Sequence, residues 1–272
     1  TLAEEATAAY EAVREQTARF LHAPSSRGIV FTRNATEAIN LMANAWGRAN
    51  VRRGEQILLS TMEHHSNLVP WQLLAKATGA ELAFIEVTDD GRLQLDQLDR
   101  WLTPRTKVVA LAHMSNVLGT INPVEEVAQR AHAHGALVVI DAAQSAPQMP
   151  IDVQRLGCDA LMFSSHKMLG PTGVGVLWAR EALLESMEPF LGGGEMISTV
   201  ELRSATWNEI PWKFEAGTPN IADVIAFGEA LTYLTRLGLP AVHAHEQRLS
   251  AYAIKQLRQL DGVTLYGPTN GP

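Results

Sequence analysis

The chain alternates short, almost wholly apolar segments with segments whose apolar residues recur at helical spacing, and this alternation limits the folds open to its 272 residues. Strands that are apolar along their whole length are typical of sheets covered on both faces. Strand–helix–strand alternation therefore predicts an α/β fold with a mostly parallel, seven-stranded central sheet and helices on both faces. The predicted strands are residues 29–32, 57–61, 82–87, 108–113, 136–141, 160–163 and 174–178.

The remaining segments predict helices and loops. A helix at 2–21 opens the chain, with its apolar residues on one face. Residues 191–212 are rich in Gly, Ser and Thr and predict a loop, whereas residues 263–266 predict a short strand near the end. The other predicted helices are 36–46, 70–78, 96–102, 123–134, 152–156, 181–187, 221–237 and 242–260.

Composition narrows the class of protein. Lys and Arg number 22 against 29 Asp and Glu, a net charge of −7, which argues against a general binder of nucleic-acid backbones. One cysteine excludes an internal disulfide and a Cys-rich zinc site and favours a reducing compartment. No apolar run approaches the ~20 residues of a membrane helix. We therefore expect a cytoplasmic protein that binds neither nucleic acid nor a membrane.

Ligands of parallel sheets bind beyond the carboxyl ends of the strands, so the residues that follow each strand are the candidates for a site. Lys167 follows strand 160–163 between hydroxyl and histidine side chains. This setting suits a Schiff-base lysine, and it equally fits an exposed loop lysine. Asp141 ends an apolar strand, where a buried carboxylate needs a partner. That partner is either a protonated pyridine nitrogen or the amide groups of a helix that Asp141 caps.

Three further segments at strand ends carry candidate ligands. Thr36 opens a helix, which is typical both of an anion site and of ordinary helix capping. His64 and His65 are adjacent, lack a His-Glu-x-x-His pattern and predict no metal site, whereas one imidazole could stack on a flat cofactor ring. Asn116 follows strand 108–113 and fits either a substrate or cofactor contact or an Asx turn.

Taken together and in this order, these segments resemble the class V aminotransferase group of fold-type I pyridoxal 5'-phosphate (PLP) enzymes. Within that group the chain most resembles the Suf-type (group II) cysteine desulfurases and the selenocysteine lyases, chiefly through Met-Glu-His-His-Ser-Asn-Leu-Val-Pro-Trp-Gln at 62–72. The resemblance covers nearly the whole chain. The other matching motifs lie at 32–40, 113–120, 141–144, 164–167, 170–175, 192–197 and 214–220.

The resemblance implies roles for the residues around the cofactor ring. Lys167 would carry PLP as a Schiff base and later move the substrate Cα proton. Asp141 would pair with the pyridine nitrogen, and Gln144 would bond the phenolic oxygen. His64 would stack on the ring rather than His65, because the stacking histidine of the family directly follows the glutamate.

The resemblance also implies the phosphate and substrate contacts. The phosphate would be held by Thr36, Ser164, His166 and the backbone at Ala35. Thr218 would reach the phosphate of a neighbouring subunit, which implies a homodimer. Asn116 would face the amino-acid substrate, L-cysteine or L-selenocysteine.

The implied reaction converts L-cysteine to L-alanine and leaves the sulfur as a persulfide on a protein thiolate, for a sulfur-acceptor protein and iron–sulfur cluster assembly. The family's nucleophilic cysteine and carboxylate-binding arginine lie in a C-terminal segment that this chain lacks. We therefore expect little sulfur transfer from the chain as given, and we interpret Cys158, which precedes a buried strand, as a packing residue.

Two alternatives stay open. The first is another class V PLP enzyme, such as an aminotransferase, an epimerase, a kynureninase or a selenocysteine lyase. The second is a non-catalytic scaffold or partner protein with the same fold.

The resemblance predicts three parts in a chain that looks truncated at both ends. An N-terminal helical segment spans 1–25, and a large PLP-binding domain spans 26–240. The start of an incomplete, small C-terminal domain spans 241–272.

Overall fold

A computed structural model of the protein describes residues 1–269. Its central sheet has seven strands: β1 (Ile29–Thr32), β2 (Gln56–Ser60), β3 (Glu81–Ile85), β4 (Thr106–Ala112), β5 (Leu137–Asp141), β6 (Ala160–Ser164) and β7 (Gly175–Ala179). Their spatial order is β1, β7, β6, β5, β4, β2, β3. β7 is antiparallel to β1 and β6, and the other neighbours pair in parallel. The predicted α/β fold with a mostly parallel seven-stranded sheet is confirmed.

Ten α-helical segments occur within residues 1–269: α1 (Leu2–Phe20), α2 (Ala35–Leu41), α3 (Arg48–Asn50), α4 (Val69–Thr78), α5 (Leu98–Trp101), α6 (Val124–Ala133), α7 (Val153–Leu156), α8 (Glu181–Ser186), α9 (Ile221–Leu237) and α10 (Leu239–Leu257). The helix predicted at 36–46 is divided, since a π-helical turn at Met42–Gly47 separates α2 from α3. The helix predicted at 242–260 begins earlier, at Leu239, because a proline fits the first helical turn, where its missing N–H is not needed.

Two predictions in the C-terminal third are wrong. Residues 191–212, predicted as a loop, contain an antiparallel hairpin of β8 (Ile197–Val200) and β9 (Ala205–Trp207). The hairpin is almost wholly exposed, so the apolar alternation that marks a half-buried strand is absent. Residues 263–266 form no strand, because no other described segment pairs with them. The last three residues of the predicted 241–272 segment, 270–272, lie outside the described residues.

Both faces of the sheet are covered. Along β5, Val138 and Ile140 pack into one hydrophobic cluster and Val139 into the other. α1, α6 and α9 contribute buried residues to the first cluster, and α2 and α4 contribute to the second. The edge at the carboxyl ends of the parallel strands is therefore where the sheet can meet a ligand.

The helix of the predicted N-terminal segment, α1, packs against α9 of the predicted large domain. The division at 25/26 and 240/241 stays a prediction. Within residues 1–269, no helix is both long enough and apolar enough to cross a membrane.

Candidate active site

Asp141 ends β5 in the middle of the sheet. The residue is 5% exposed, and its Oδ1 accepts the Ala143 N–H at 2.9 Å. No hydrogen bond from residues 1–269 reaches its Oδ2. Burial raises the pKa of this carboxyl, while the Ala143 N–H and then the charges of Lys167 and His64 act to lower it. Lys167 and His64, which are predicted to contact the cofactor together with Asp141, therefore interact electrostatically with Asp141.

Lys167 lies directly beyond β6, which is the parallel neighbour of β5. Ser165–Lys167 forms a single 3-10 turn that buries Ser165 and leaves His166 and Lys167 exposed. Because Asp141 is paired with Met162 in the sheet register, the turn that carries Lys167 begins three residues beyond the partner of Asp141, at the same edge of the sheet. An exposed amine next to a buried carboxylate is free to react with a ligand at this edge of the sheet.

His64 and His65 follow β2 and have different surroundings. His64 Nδ1 accepts the Ser66 N–H at 3.1 Å and lies 3.0 Å from Ser66 Oγ. Ser66 Oγ is 2.9 Å from Thr36 Oγ1, so a chain of polar contacts joins His64 to the start of α2. The His65 side chain makes no hydrogen bond to any described residue. The structure thus connects His64, and not His65, to the other candidate residues.

The start of α2 presents an unpaired amide. The Asn34 side chain caps this helix by accepting the Glu37 N–H at 2.9 Å. The Ala35 N–H donates to Ser164 Oγ at 2.8 Å, so the phosphate contact predicted for the Ala35 backbone stays a prediction. The Thr36 N–H has no partner within the described part of the chain. Since helix N-terminal amides attract anions, Thr36 can offer both its N–H and its hydroxyl to a phosphate.

Gly175 lets β7 approach the start of α2. A Cβ at this position would overlap the backbone of Asn34 at a separation that real Cβ atoms do not show. Any side chain here would push Asn34 away from the sheet and displace the Thr36 amide.

Gln144 and Asn116 lie at the same carboxyl-end edge. Gln144 is half-buried and Asn116 is exposed, and neither side chain forms a hydrogen bond within residues 1–269. The Asx turn considered for Asn116 does not form, because Ser115 Oγ accepts the Val117 and Leu118 N–H groups at 3.3 and 3.2 Å. Both amides are therefore available to a ligand.

Thr218 lies in the loop that follows Glu215. It is exposed and lines a cavity of about 530 Å³ together with Arg33 and Glu37. The contact predicted between Thr218 and the phosphate of a neighbouring subunit stays a prediction.

Glu63 is a site residue that sequence reasoning missed. Its Oε1 accepts from Ser60 Oγ, and its Oε2 accepts from Asn67 Nδ2 at 2.7 Å. The pKa of Glu63 is raised to about 8, chiefly by burial and also by the charge of Asp141, against the lowering effect of these bonds. The signal available in the sequence was the Glu-His pair after β2, which does not reveal that the carboxyl is buried.

Glu215 was also missed, although it lies in the motif at 214–220. The Arg14 guanidinium donates to both of its oxygens, at 2.6 and 3.0 Å, and the Phe31 N–H donates to it at 2.7 Å. These bonds tie the loop that leads to Thr218 to α1 and β1.

Cys158 is completely buried. Burial raises the pKa of its thiol to about 12, and the neighbouring charge of Asp159 contributes to that rise. The thiolate that a nucleophile requires is therefore not populated near neutral pH. The predicted packing role of Cys158 is confirmed.

The arrangement fits PLP. A buried carboxylate with one unpartnered oxygen, Asp141 Oδ2, suits a protonated pyridine nitrogen. Lys167 provides an amine beside it, and the exposed imidazole of His64 is available to a flat ring. Thr36, Ser164 and His166 lie at the start of α2 and the end of β6, as a phosphate contact requires.

A lysine, a buried aspartate and a helix N-terminus at the carboxyl ends of this sheet define a fold-type I PLP enzyme. More narrowly, the chain belongs to the class V aminotransferase family, whose match spans residues 1–272. The cofactor of this family is PLP.

Curated relatives of the chain are named as cysteine desulfurases. The probable cysteine desulfurase of Halalkalibacterium halodurans is 52% identical over 268 residues, which cover 98% of this chain and 66% of the relative. A cysteine desulfurase of Escherichia coli is 49% identical over 271 residues, covering 99% of this chain and 67% of the relative. The chain thus spans about two thirds of the length of these relatives.

Solved structures of cysteine desulfurases are similar to this chain in fold. The apo structure of a cysteine desulfurase from Thermococcus onnurineus matches with a TM-score of 0.95 at 41% identity, covering 99% of this chain and 67% of that one. The crystal structure of the cysteine desulfurase CsdA from Escherichia coli matches with a TM-score of 0.89 at 40% identity, covering 94% of this chain and 64% of that one.

Proposed function

We propose that this chain is the PLP-binding part of a cysteine desulfurase, which converts L-cysteine to L-alanine and passes the sulfur to a protein thiolate. The observation that carries the proposal is the buried Asp141 carboxylate at the end of β5, whose Oδ2 has no partner within residues 1–269, with Lys167 just beyond the neighbouring strand β6. The substrate is inferred from relatives that are 49–52% identical and are named for this activity.

When bound, PLP supplies an electron sink for the pair of electrons left when the substrate Cα loses its proton. Asp141 Oδ2 holds the ring nitrogen in its protonated form, because a buried carboxylate without another partner favours a cation. Lys167 supplies the amine that holds the cofactor and then carries the Cα proton. Its exposure and its short 3-10 turn leave the side chain free to move between these tasks.

The other residues orient the ligands. His64, which is held by Ser66, would stack on the cofactor ring, and Gln144 would donate to its phenolic oxygen. Thr36, Ser164 and His166 would hold the phosphate, and the side-chain amide of Asn116 would meet the substrate carboxylate. Such contacts would orient the substrate so that its departing proton is within reach of Lys167.

The thiolate that accepts the sulfur is not Cys158, because that thiol is buried and protonated. We infer that the nucleophile belongs to a part of the parent protein outside these 272 residues. A sulfur-acceptor protein then removes the persulfide sulfur for iron–sulfur cluster assembly. The single, buried cysteine is consistent with a cytoplasmic location.

We also propose a homodimer, in which Thr218 completes the phosphate site of the partner. Its exposed position, in an open cavity that it shares with Arg33 and Glu37, leaves its hydroxyl accessible to a second subunit. Sedimentation that finds only monomer in the PLP-loaded parent protein contradicts this proposal.

The test of the activity uses the parent protein that contains this chain. We expect an absorbance band near that of protein-bound PLP, bleached by borohydride, and release of L-alanine from L-cysteine with persulfide on the protein. Lys167→Ala is expected to remove the borohydride-sensitive band and alanine release together. A parent protein that binds PLP and yields a different product from L-cysteine overturns the desulfurase assignment, and a colourless protein with no PLP affinity overturns the enzyme assignment.

A further inference from the structure

Glu63 is a half-buried residue at the ligand-binding edge, and the proposed reaction assigns its carboxyl no task. We propose that Glu63 is a positioning residue for the cofactor, whose carboxyl braces the turn from Ser60 to Asn67 and thereby holds the His64 imidazole in place over the ring. This inference rests on the proposed function, since it concerns the same site.

The bonds of Glu63 close the turn at both ends. Ser60 is the last residue of β2, and Asn67 ends the 3-10 turn that precedes α4. Glu63 accepts from Ser60 Oγ at one end and from Asn67 Nδ2, at 2.7 Å, at the other. His64 is the next residue along the chain, so its backbone position follows directly from this brace.

The donors that meet Glu63 are themselves fixed. Ser60 Oγ accepts the Met62 N–H at 3.3 Å, which leaves its own hydrogen for the carboxyl. Trp71 Nε1 donates to Asn67 Oδ1 at 3.0 Å, so the NH2 group of Asn67 must face Glu63. Ser60, Asn67 and Trp71 are all buried. Removal of the carboxyl would therefore leave two buried donors without acceptors, and the turn would have to rearrange to satisfy them.

Glu63 also lies close to the carboxyl that meets the ring nitrogen. The charge of Asp141 raises the pKa of Glu63, and the charges of Lys167 and His64 act to lower the pKa of Asp141. The raised pKa of Glu63 supports a neutral acid next to Asp141, so that Asp141 remains the single negative charge facing the ring.

The substitution Glu63→Gln tests this arrangement with little change of shape. The amide oxygen can accept from Asn67, and the amide NH2 can donate to Ser60 Oγ once the Ser60 hydroxyl hydrogen rotates away from residue 63. Glu63→Ala removes both bonds. Glu86→Ala is the matched control, because Glu86 is exposed just beyond the neighbouring strand β3 and its side chain makes no hydrogen bond within residues 1–269.

The readouts are the PLP dissociation constant of the parent protein, from absorbance titration, and the visible circular dichroism of the bound cofactor. We expect Glu63→Ala to weaken PLP binding about fourfold, no more than removal of the imidazole itself in His64→Ala, and to alter the dichroism in the same sense as that variant. Glu63→Gln and Glu86→Ala are expected to stay within about twofold of the wild type. Because Glu63 acts through His64, the double variant E63A/H64A is expected to bind PLP no more weakly than H64A alone.

Full additivity in E63A/H64A, or an unchanged affinity and dichroism in E63A, overturns the positioning role. Should E63A fail to fold, Ser60→Ala removes one bond of the brace, and an unchanged dichroism in that variant overturns the proposal instead. A wild-type protein that does not bind PLP, or a Lys167→Ala variant with an unaltered borohydride-sensitive band, identifies failure of the proposed function and not of the Glu63 role.

Discussion

Arg14 and Glu215 form a two-pronged ion pair inside the molecule, with Nη1–Oε1 and Nη2–Oε2 distances of 2.6 and 3.0 Å. Their side chains are 2% and 8% exposed. The Phe31 N–H and the Tyr10 hydroxyl also donate to Glu215, so no carboxylate oxygen is left without a partner. Through this pair, α1 is fastened both to β1 and to the loop that carries Thr218.

Arg14→Ala is expected to destabilise the protein by about 3–5 kcal/mol, because it leaves the Glu215 carboxylate buried without its countercharge. The free energy of unfolding from urea titration measures the change. Arg105→Ala is the control, since the Arg105–Glu81 pair is more than half exposed on both sides and its loss is expected to cost less than about 1 kcal/mol. Equal effects of the two substitutions would contradict this account of the buried pair.

His64→Ala is expected to weaken PLP binding about fivefold, since a ring-on-ring contact contributes on the order of 1 kcal/mol. His65→Ala is expected to leave the affinity within about twofold, because its side chain has no polar contact with the described site residues. Absorbance titration of the two variants with PLP decides between them. A larger loss in the His65 variant would show that the stacking histidine was assigned to the wrong member of the pair.

The contribution of Glu63 to the stability of the cofactor-free protein is expected to fall as the pH rises from about 4.5 to about 8, the ordinary and folded-state pKa values of Glu63. Within that range the folded protein retains a proton that the unfolded chain has lost, so raising the pH favours unfolding. Glu63→Gln cannot ionise and removes this contribution, which is on the order of 5 kcal/mol across the range. Urea titrations at pH 5 and 8.5 measure the difference, and parallel pH dependences of wild type and variant would refute it.

Gly175→Ala is expected to destabilise the protein by roughly 1–3 kcal/mol, because its Cβ would overlap the Asn34 backbone. Binding of inorganic phosphate and of PLP is expected to weaken with it, since Asn34 caps the helix that presents Thr36. Gly192→Ala serves as the control, because a Cβ at Gly192 meets no atom within 4 Å. Thermal melting with and without phosphate separates the two effects, and a Gly175 variant that melts like the control would rule out the close approach.

Cys158 is expected to react with a thiol reagent at least about 100-fold more slowly in the native protein than in urea, because its thiol is buried and protonated. Cys158→Ala in the parent protein is expected to leave persulfide formation unchanged. Mass spectrometry of the protein after incubation with L-cysteine locates the sulfur. A persulfide on Cys158 would overturn its packing role and with it the proposed external nucleophile.

The elements that could be predicted are those whose pattern is local and buried. Each strand of the central sheet, like the buried face of the helix α9, carries apolar residues that must avoid water. β1 and α9 are therefore predicted with their observed bounds. The hairpin of β8 and β9 escaped prediction because it is exposed and is held by backbone pairing and by the side-chain contact of 2.6 Å between the Thr199 and Thr206 hydroxyls. Hydrophobic patterning carries no information about such a segment.

The identity of the candidate ligands could also be read along the chain. Lys167 and Asp141 stand out because each follows an apolar strand, where a charged group needs a reason to be present. Their proximity depends on the order of strands in the sheet, which makes β5 and β6 neighbours. The burial of Glu63 and its closeness to Asp141, like the union of Arg14 with Glu215, arise from segments far apart along the chain. The residue pattern of a segment indicates which of its side chains are buried. The electrostatic environment of a side chain depends instead on the groups from distant parts of the chain that the fold places around it.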